Sequence, residues 1–176
     1  MNEIIKKNGI TFGIISGVIS ILTTTIMYVV NLELFVSPWI GSIAILIYLI
    51  LGIVLMSKTK KDLKGQFSFK EAFTTYFIFV VVGILISMIF NFILFNYVDP
   101  SAKETIKELS MKMMVTFMQK FNAPASAVNE ALKGLKENDQ YSIGNLFKGA
   151  LTGILVSSIF GLILAAIFKT KTVTND

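Results

Sequence analysis

Four long runs almost free of charge limit this chain more than any other feature of its sequence. Residues 10–30 pass 21 positions without an Asp, Glu or Lys. At 1.5 Å per residue a helix of that length spans about 31 Å, close to the roughly 30 Å hydrocarbon core of a bilayer. Residues 40–56 supply 17 such positions, near the lower limit for a crossing, and residues 73–95 supply 23. Residues 146–168 supply another 23, with Lys148 near enough to the start to snorkel to the interface. Soluble domains average about 25% charged residues. This chain has 15%, against 54% apolar. Uncharged stretches of that length are read as crossings rather than as buried helices of a water-soluble protein. The expectation is an all-α integral membrane bundle of four transmembrane helices, forming a single membrane domain over residues 1–176.

Lys6 and Lys7 before the first run imitate a secretion signal. The run exceeds the usual 7–15 residues of such a signal, however, and no small-residue cleavage site follows, because the chain leaves through Asn31-Leu32-Glu33-Leu34. The first run is therefore read as a retained helix.

Orientation rests on Lys alone, since there is no Arg. Lys6 and Lys7, then Lys58, Lys60, Lys61, Lys64 and Lys70, then Lys169 and Lys171 all fall on one side. The turn between the first two runs carries only Glu33, and residues 98–145 balance six Lys against six acids. The positive-inside rule then predicts cytoplasmic termini and an external 98–145 segment. Tyr28, Trp39, Tyr97 and Tyr141 fall at the external ends, where an aromatic belt is expected. Topology accounts for the net charge of +5 without a nucleic-acid partner. The same Lys cluster is of the kind that attracts anionic lipid headgroups, at about 1 kcal/mol per Lys near the surface.

Capping signals place the helix starts. Ser68-Phe69-Lys70-Glu71 fits a capping box, Pro38 suits a first helical turn, and Asp99-Pro100 reads as an N-cap followed by Pro. Beyond it, Ile106, Leu109, Met113, Phe117 and Phe121 recur at helical spacing, with Lys103, Glu104, Glu108 and Lys112 on the other face. Asn122-Ala123-Pro124 breaks that helix, and Val128, Leu132 and Leu135 form a stripe on a second. An external amphipathic helical hairpin is thus expected between spans three and four. Its apolar stripes must meet the membrane surface, the mouth of the bundle or a second copy of the chain.

The spans hold no Asp, Glu or Arg, the groups on which ion coupling and proton relays depend. With no His or Cys anywhere, thiol and imidazole chemistry is absent, and a Ser in a span has no base to activate it. The sequence points away from an enzyme and calls for no cofactor. Weakly polar residues remain: Ser16, Ser20, Tyr48, Ser87, Ser157, Ser158 and, nearer the external side, Asn91. They suit either a small hydrated pocket or interhelical hydrogen bonds of about 0.6 kcal/mol each. Met111, Met113, Met114 and Met118 cluster on the external helix. That suits adaptable packing, or thioether ligation of Cu(I).

Small residues give the clearest pattern. Gly9, Gly13 and Gly17 recur every four residues. Gly149, Gly153, Ser157, Gly161 and Ala165 do so along the last span, and Gly83 and Ser87 in the third. Such rows allow close helix approach, either within the chain through spans one and four or at a homodimer seam.

With these pieces in place, the chain resembles the small bacterial four-span proteins catalogued as domain of unknown function 4199. The likeness covers essentially the whole chain. It lies in Gly9-Ile10-Thr11-Phe12-Gly13-Ile14-Ile15-Ser16-Gly17, Phe67-Ser68-Phe69-Lys70-Glu71-Ala72-Phe73, Asn96-Tyr97-Val98-Asp99-Pro100, the Met-rich helix and the glycine-spaced last span. Where this chain has Glu71, the similar proteins usually have Gly. The resemblance implies an inner-membrane protein of two-membrane bacteria and brings no activity, cofactor or catalytic residue with it. The expected function is non-enzymatic contact or assembly through the small-residue seams and the hairpin. The alternative is a small carrier or channel for an uncharged or lipid-like substrate.

Overall fold

The structure, a computed structural model, describes residues 2–170; Lys171, counted above among the Lys of one side, lies outside them. Six helices follow in order: α1 (Glu3–Val30), α2 (Pro38–Asp62), α3 (Phe69–Ile93), α4 (Pro100–Lys120), α5 (Ala125–Glu137) and α6 (Ile143–Phe168). There is no strand among the described residues. Helices α1, α2 and α6 are long and apolar enough to cross a bilayer, as is α3 with the turn that continues it to Val98.

The helices outrun the uncharged segments because their polar ends are capped. Asn2 accepts the Ile4 N–H at 2.9 Å and starts α1 seven residues before the apolar run. Lys60 and Lys61 occupy the last turn of α2, where cations complement the helix dipole. Gly65, at φ +86°, then reverses the chain after Lys64. Both halves of the Ser68–Glu71 capping box form at the start of α3. Pro38 opens α2, and Asp99 caps α4 through the N–H groups of Ser101 (3.0 Å) and Ala102 (3.1 Å).

Between α3 and α4 the chain makes a π-helical turn, Leu94–Val98, closed by the Asp99 N–H to the Leu94 carbonyl at 2.8 Å. Nothing in the hydrophobic periodicity announces it. The wider turn shifts the helical phase, and Leu94 and Phe95 both come to be buried.

Helix α3 is the centre of the bundle: α1 runs along one side of it and α6 along another, with α2 leaning on all three. Spans one and four therefore do not pair along their length; each packs on α3 instead. One core, around Phe12, Leu55, Met56, Phe67, Tyr76 and Phe79, fills the Lys-rich end. A second, around Leu94, Phe95, Ala102 and Ile106, joins the first turns of α4 to the opposite end. Helix α5 packs back on α4, and Lys107 Nζ donates to the Lys136 carbonyl at 2.6 Å.

The outward faces are strongly apolar. Leu22, Ile50, Leu155 and Ile167 are each more than half exposed, and in water such a surface would be an aggregation liability. With lipid as the solvent it is the ordinary outside of a membrane bundle. Trp39 and Tyr97 also stand free, as belt residues do. The other two aromatics turn inward: Tyr141 stacks on Phe95 with ring centroids 4.0 Å apart, and the Tyr28 hydroxyl donates to Asp99 at 3.0 Å.

Candidate functional site

The small-residue rows are where two helices come closest. A Cβ added to Gly9 would lie 2.9 Å from Ile78 Cβ, one on Gly13 2.6 Å from Val82 Cβ, and one on Gly17 2.7 Å from Ile86 Cβ. The row in α1 is thus a groove filled by three side chains of α3. Gly83 answers from α3 by leaving room for the Ser16 hydroxyl, which donates to the Gly13 carbonyl at 2.9 Å. On α6, Gly161 lies under the ring of Tyr76 and Ala165 is fully buried in the same core. Gly153 meets only the tip of Ile84, at 3.4 Å, and Gly149 meets nothing within 4 Å. The sequence reading missed Gly52, which bears on the other edge of Tyr76. Its only signal is a lone glycine among bulky neighbours in α2.

The weakly polar residues divide. Ser20 and Ser87 share a hydrogen bond of 2.8 Å across the α1–α3 seam, and Asn91 Nδ2 donates to the Ser87 carbonyl at 2.8 Å. Ser158 stays apart, donating to the Ile154 carbonyl of its own helix at 2.7 Å, and Ser157 is half-buried on the same helix. Asn91 also edges a cleft of about 270 Å³ between α3 and α6, with Gln140, Asn145 and Gly149.

Tyr48 joins Ser20 in a different feature. Away from the Lys-rich end, α1 and α2 separate around the 3-10 turn Leu32–Val36, leaving a cavity of about 500 Å³. Most of its wall is apolar: Ile19, Met27, Phe35, Ile40, Ala44, Ile47. The hydroxyls of Ser20, Thr23, Thr24, Ser37, Tyr48 and Ser110 interrupt that wall, and no carboxylate or amine lines it. Ser110 and Met113 belong to α4, which roofs the open end. From Ser37 to Tyr48 the helix rises about 16 Å, so the cavity reaches roughly half the depth of a hydrocarbon core.

Two of its six hydroxyls are committed as donors, and a third shares a hydrogen bond in which either partner can donate. Thr23 Oγ1 donates to the Ile19 carbonyl at 2.9 Å, Ser110 Oγ to the Ile106 carbonyl at 2.8 Å, and Ser20 is tied to Ser87. A hydroxyl has one donor and two acceptor sites, so Thr23 and Ser110 offer mainly lone pairs to whatever enters. The cavity suits an uncharged molecule with an O–H or N–H group and an apolar body.

The roof is held by charge. Lys103 Nζ pairs with Asp139 at 2.8 Å and so holds that carboxyl below its usual pKa. Hydrogen bonds from Ser101, Tyr28 and the Ala102 N–H do the same for Asp99. Burial pushes the Tyr141 hydroxyl up to about 12. At the far end, Asn8 Nδ2 donates to Thr59 (3.2 Å) and Asp62 (2.9 Å), and Asp62 pairs with Lys58 at 3.0 Å. Of the clustered methionines, Met113 lines the cavity, whereas Met111 lines a shallow groove with Leu132 of α5.

No curated protein and no solved structure matches the chain. A family model does, over residues 11–170, which takes in all four spans and both helices of the segment between the last two. The chain belongs to the family described as "Protein of unknown function (DUF4199)".

Proposed function

We propose that this integral membrane protein is a non-enzymatic binder of an uncharged, lipid-like molecule, held in the cavity between α1 and α2. The observation that carries this reading is the cavity itself: about 500 Å³ walled mostly by apolar side chains, with hydroxyls and no charge, reaching about half-way into the hydrocarbon depth. Assembly through the glycine rows has less support, because α3 fills the row in α1 and Tyr76 lies over Gly161. In the same reading both termini are cytoplasmic and the bilayer is a bacterial inner membrane. The Lys at that end meet anionic headgroups, and α4 covers the cavity from the external side.

The test uses protein reconstituted in phosphatidylcholine nanodiscs with a photoreactive monoacylglycerol. Crosslinking is expected to saturate, to map to α1 and α2, and to fall at least tenfold in Ala44→Trp, whose indole projects into the cavity and obstructs it. Labelling spread evenly over all four spans, or unchanged in Ala44→Trp, would overturn the proposal. Should vesicles also show a flux of the same molecule that Tyr48→Phe or Ser20→Ala alters, binding extends to transport.

A further inference from the structure

One apolar stripe on α4 does two things along its length. Ala102 and Ile106 are buried against the end of the bundle, and Ser110 and Met113 lie over the cavity. Phe117 and Phe121 continue the same face, since offsets of 11 and 15 residues from Ile106 come within about 60° of it at 100° per residue. Those two rings pack on each other at 4.9 Å, yet they are 58% and 70% exposed. They lie about 17 and 23 Å along the helix from Ile106, whereas neighbouring helices sit only 8–10 Å apart. The stripe therefore runs on well past its buried part, its distal end largely uncovered among the described residues.

We infer that the distal half of α4, carried by Phe117 and Phe121, rests in the headgroup–acyl boundary of the surrounding bilayer. Three observations select lipid as the occupant. Helix α4 starts two residues after the end of a membrane-crossing segment, at the level where spans meet headgroups. The cavity that its Met113 roofs is bounded by Ile43 of α2, itself 52% exposed on the lipid-facing side, so the stripe continues an apolar surface already in lipid. Charge agrees as well. Glu104 and Glu108 fall on the opposite face, while Lys120 flanks the stripe, where its ammonium can reach lipid phosphates.

The chain has no Cys, so single spin labels can be placed without other changes at Phe117→Cys, Phe121→Cys, Ile50→Cys as a lipid-facing reference and Lys133→Cys as a water-facing one. In phosphatidylcholine vesicles, labels at 117 and 121 are expected to collide with oxygen in preference to a water-soluble nickel chelate, as at position 50. Chelate collision equal to that at 133 would place the stripe in water and overturn the inference. Protection from both relaxers would show protein on the stripe, a second copy or another chain, and overturn it equally. Both phenylalanines are exposed, so these substitutions leave packing intact; unchanged helicity by circular dichroism is the control. The result is independent of whether the cavity binds anything.

Discussion

The ring of Tyr76 rests on the bare Cα of Gly161, so closely that a Cβ there would stand 2.6 Å from Cδ1. Its other edge faces Gly52 at 2.8 Å by the same measure. Gly161→Leu is expected to destabilise the protein by about 1–3 kcal/mol, the usual cost of overpacking. Gly149→Leu, whose added atoms meet open space, should change little. Thermal unfolding in detergent followed by circular dichroism checks this, and equal losses in the two variants would refute the packing described for α6.

The Ser20–Ser87 hydrogen bond joins α1 to α3 inside the apolar region. Interhelical bonds of this kind contribute about 0.6 kcal/mol in membranes. Ser20→Ala and Ser87→Ala should each lose about that much, and the double variant little more than either alone. A double-mutant cycle from unfolding midpoints measures the coupling, and strict additivity would count against the pair.

Acid should loosen the α3–α4 junction before the spans. Asp99 and Asp139 have folded pKa values below their ordinary ones, so their contribution is complete above about 4. It is lost as the pH falls through that value and on through the depressed ones. Amide exchange at Ser101 and Ala102 is expected to accelerate relative to α3 over that interval. Asp99→Asn should flatten the dependence.

Alkali acts on a different partner of the same junction. The Tyr141 hydroxyl ionises at about 12 in the folded chain and near 10 when unfolded. A raised value means that the stabilisation is complete below 10 and is lost as the pH climbs to 12. The ultraviolet titration of the protein minus that of Tyr141→Phe should show one tyrosinate appearing near 12. A midpoint near 10 would mean that the ring is not buried on Phe95.

Thr170 closes the Lys-rich end. Its N–H donates to the Phe67 carbonyl at 2.8 Å, the Phe67 N–H donates to its hydroxyl at 2.9 Å, and that hydroxyl reaches the Gly65 carbonyl. Thr170→Val should cost about 1 kcal/mol. It should also speed hydrogen exchange at the Phe67 amide, with α1 unaffected.

Much of this architecture is legible because a bilayer imposes long uncharged segments and because caps are local. The runs behind α1, α2, α3 and α6, the Ser68–Glu71 box, Asp99-Pro100 and the break at Pro124 all come from neighbours within a few positions. What the letters withhold is pairing. The spacing of Gly9, Gly13 and Gly17 marks a groove, but Ile78, Val82 and Ile86, which fill it, look like any other apolar residues of a span. The cavity is hidden for the same reason: it exists because α1 and α2 diverge, and divergence has no residue signature. The π-helical turn at Leu94–Val98 is equally silent, since a one-residue phase shift inside an apolar run leaves composition unchanged.

The central position of α3 bears on how the chain is made. The groove in α1 is synthesised some 70 residues before the isoleucines and valine that occupy it. At a translation rate of 5–20 residues per second, roughly 3 to 14 seconds pass before that contact can form. Through that interval the first hairpin sits in the insertion machinery or among lipids with its tightest seam unmade, so biogenesis of the bundle waits on its third crossing.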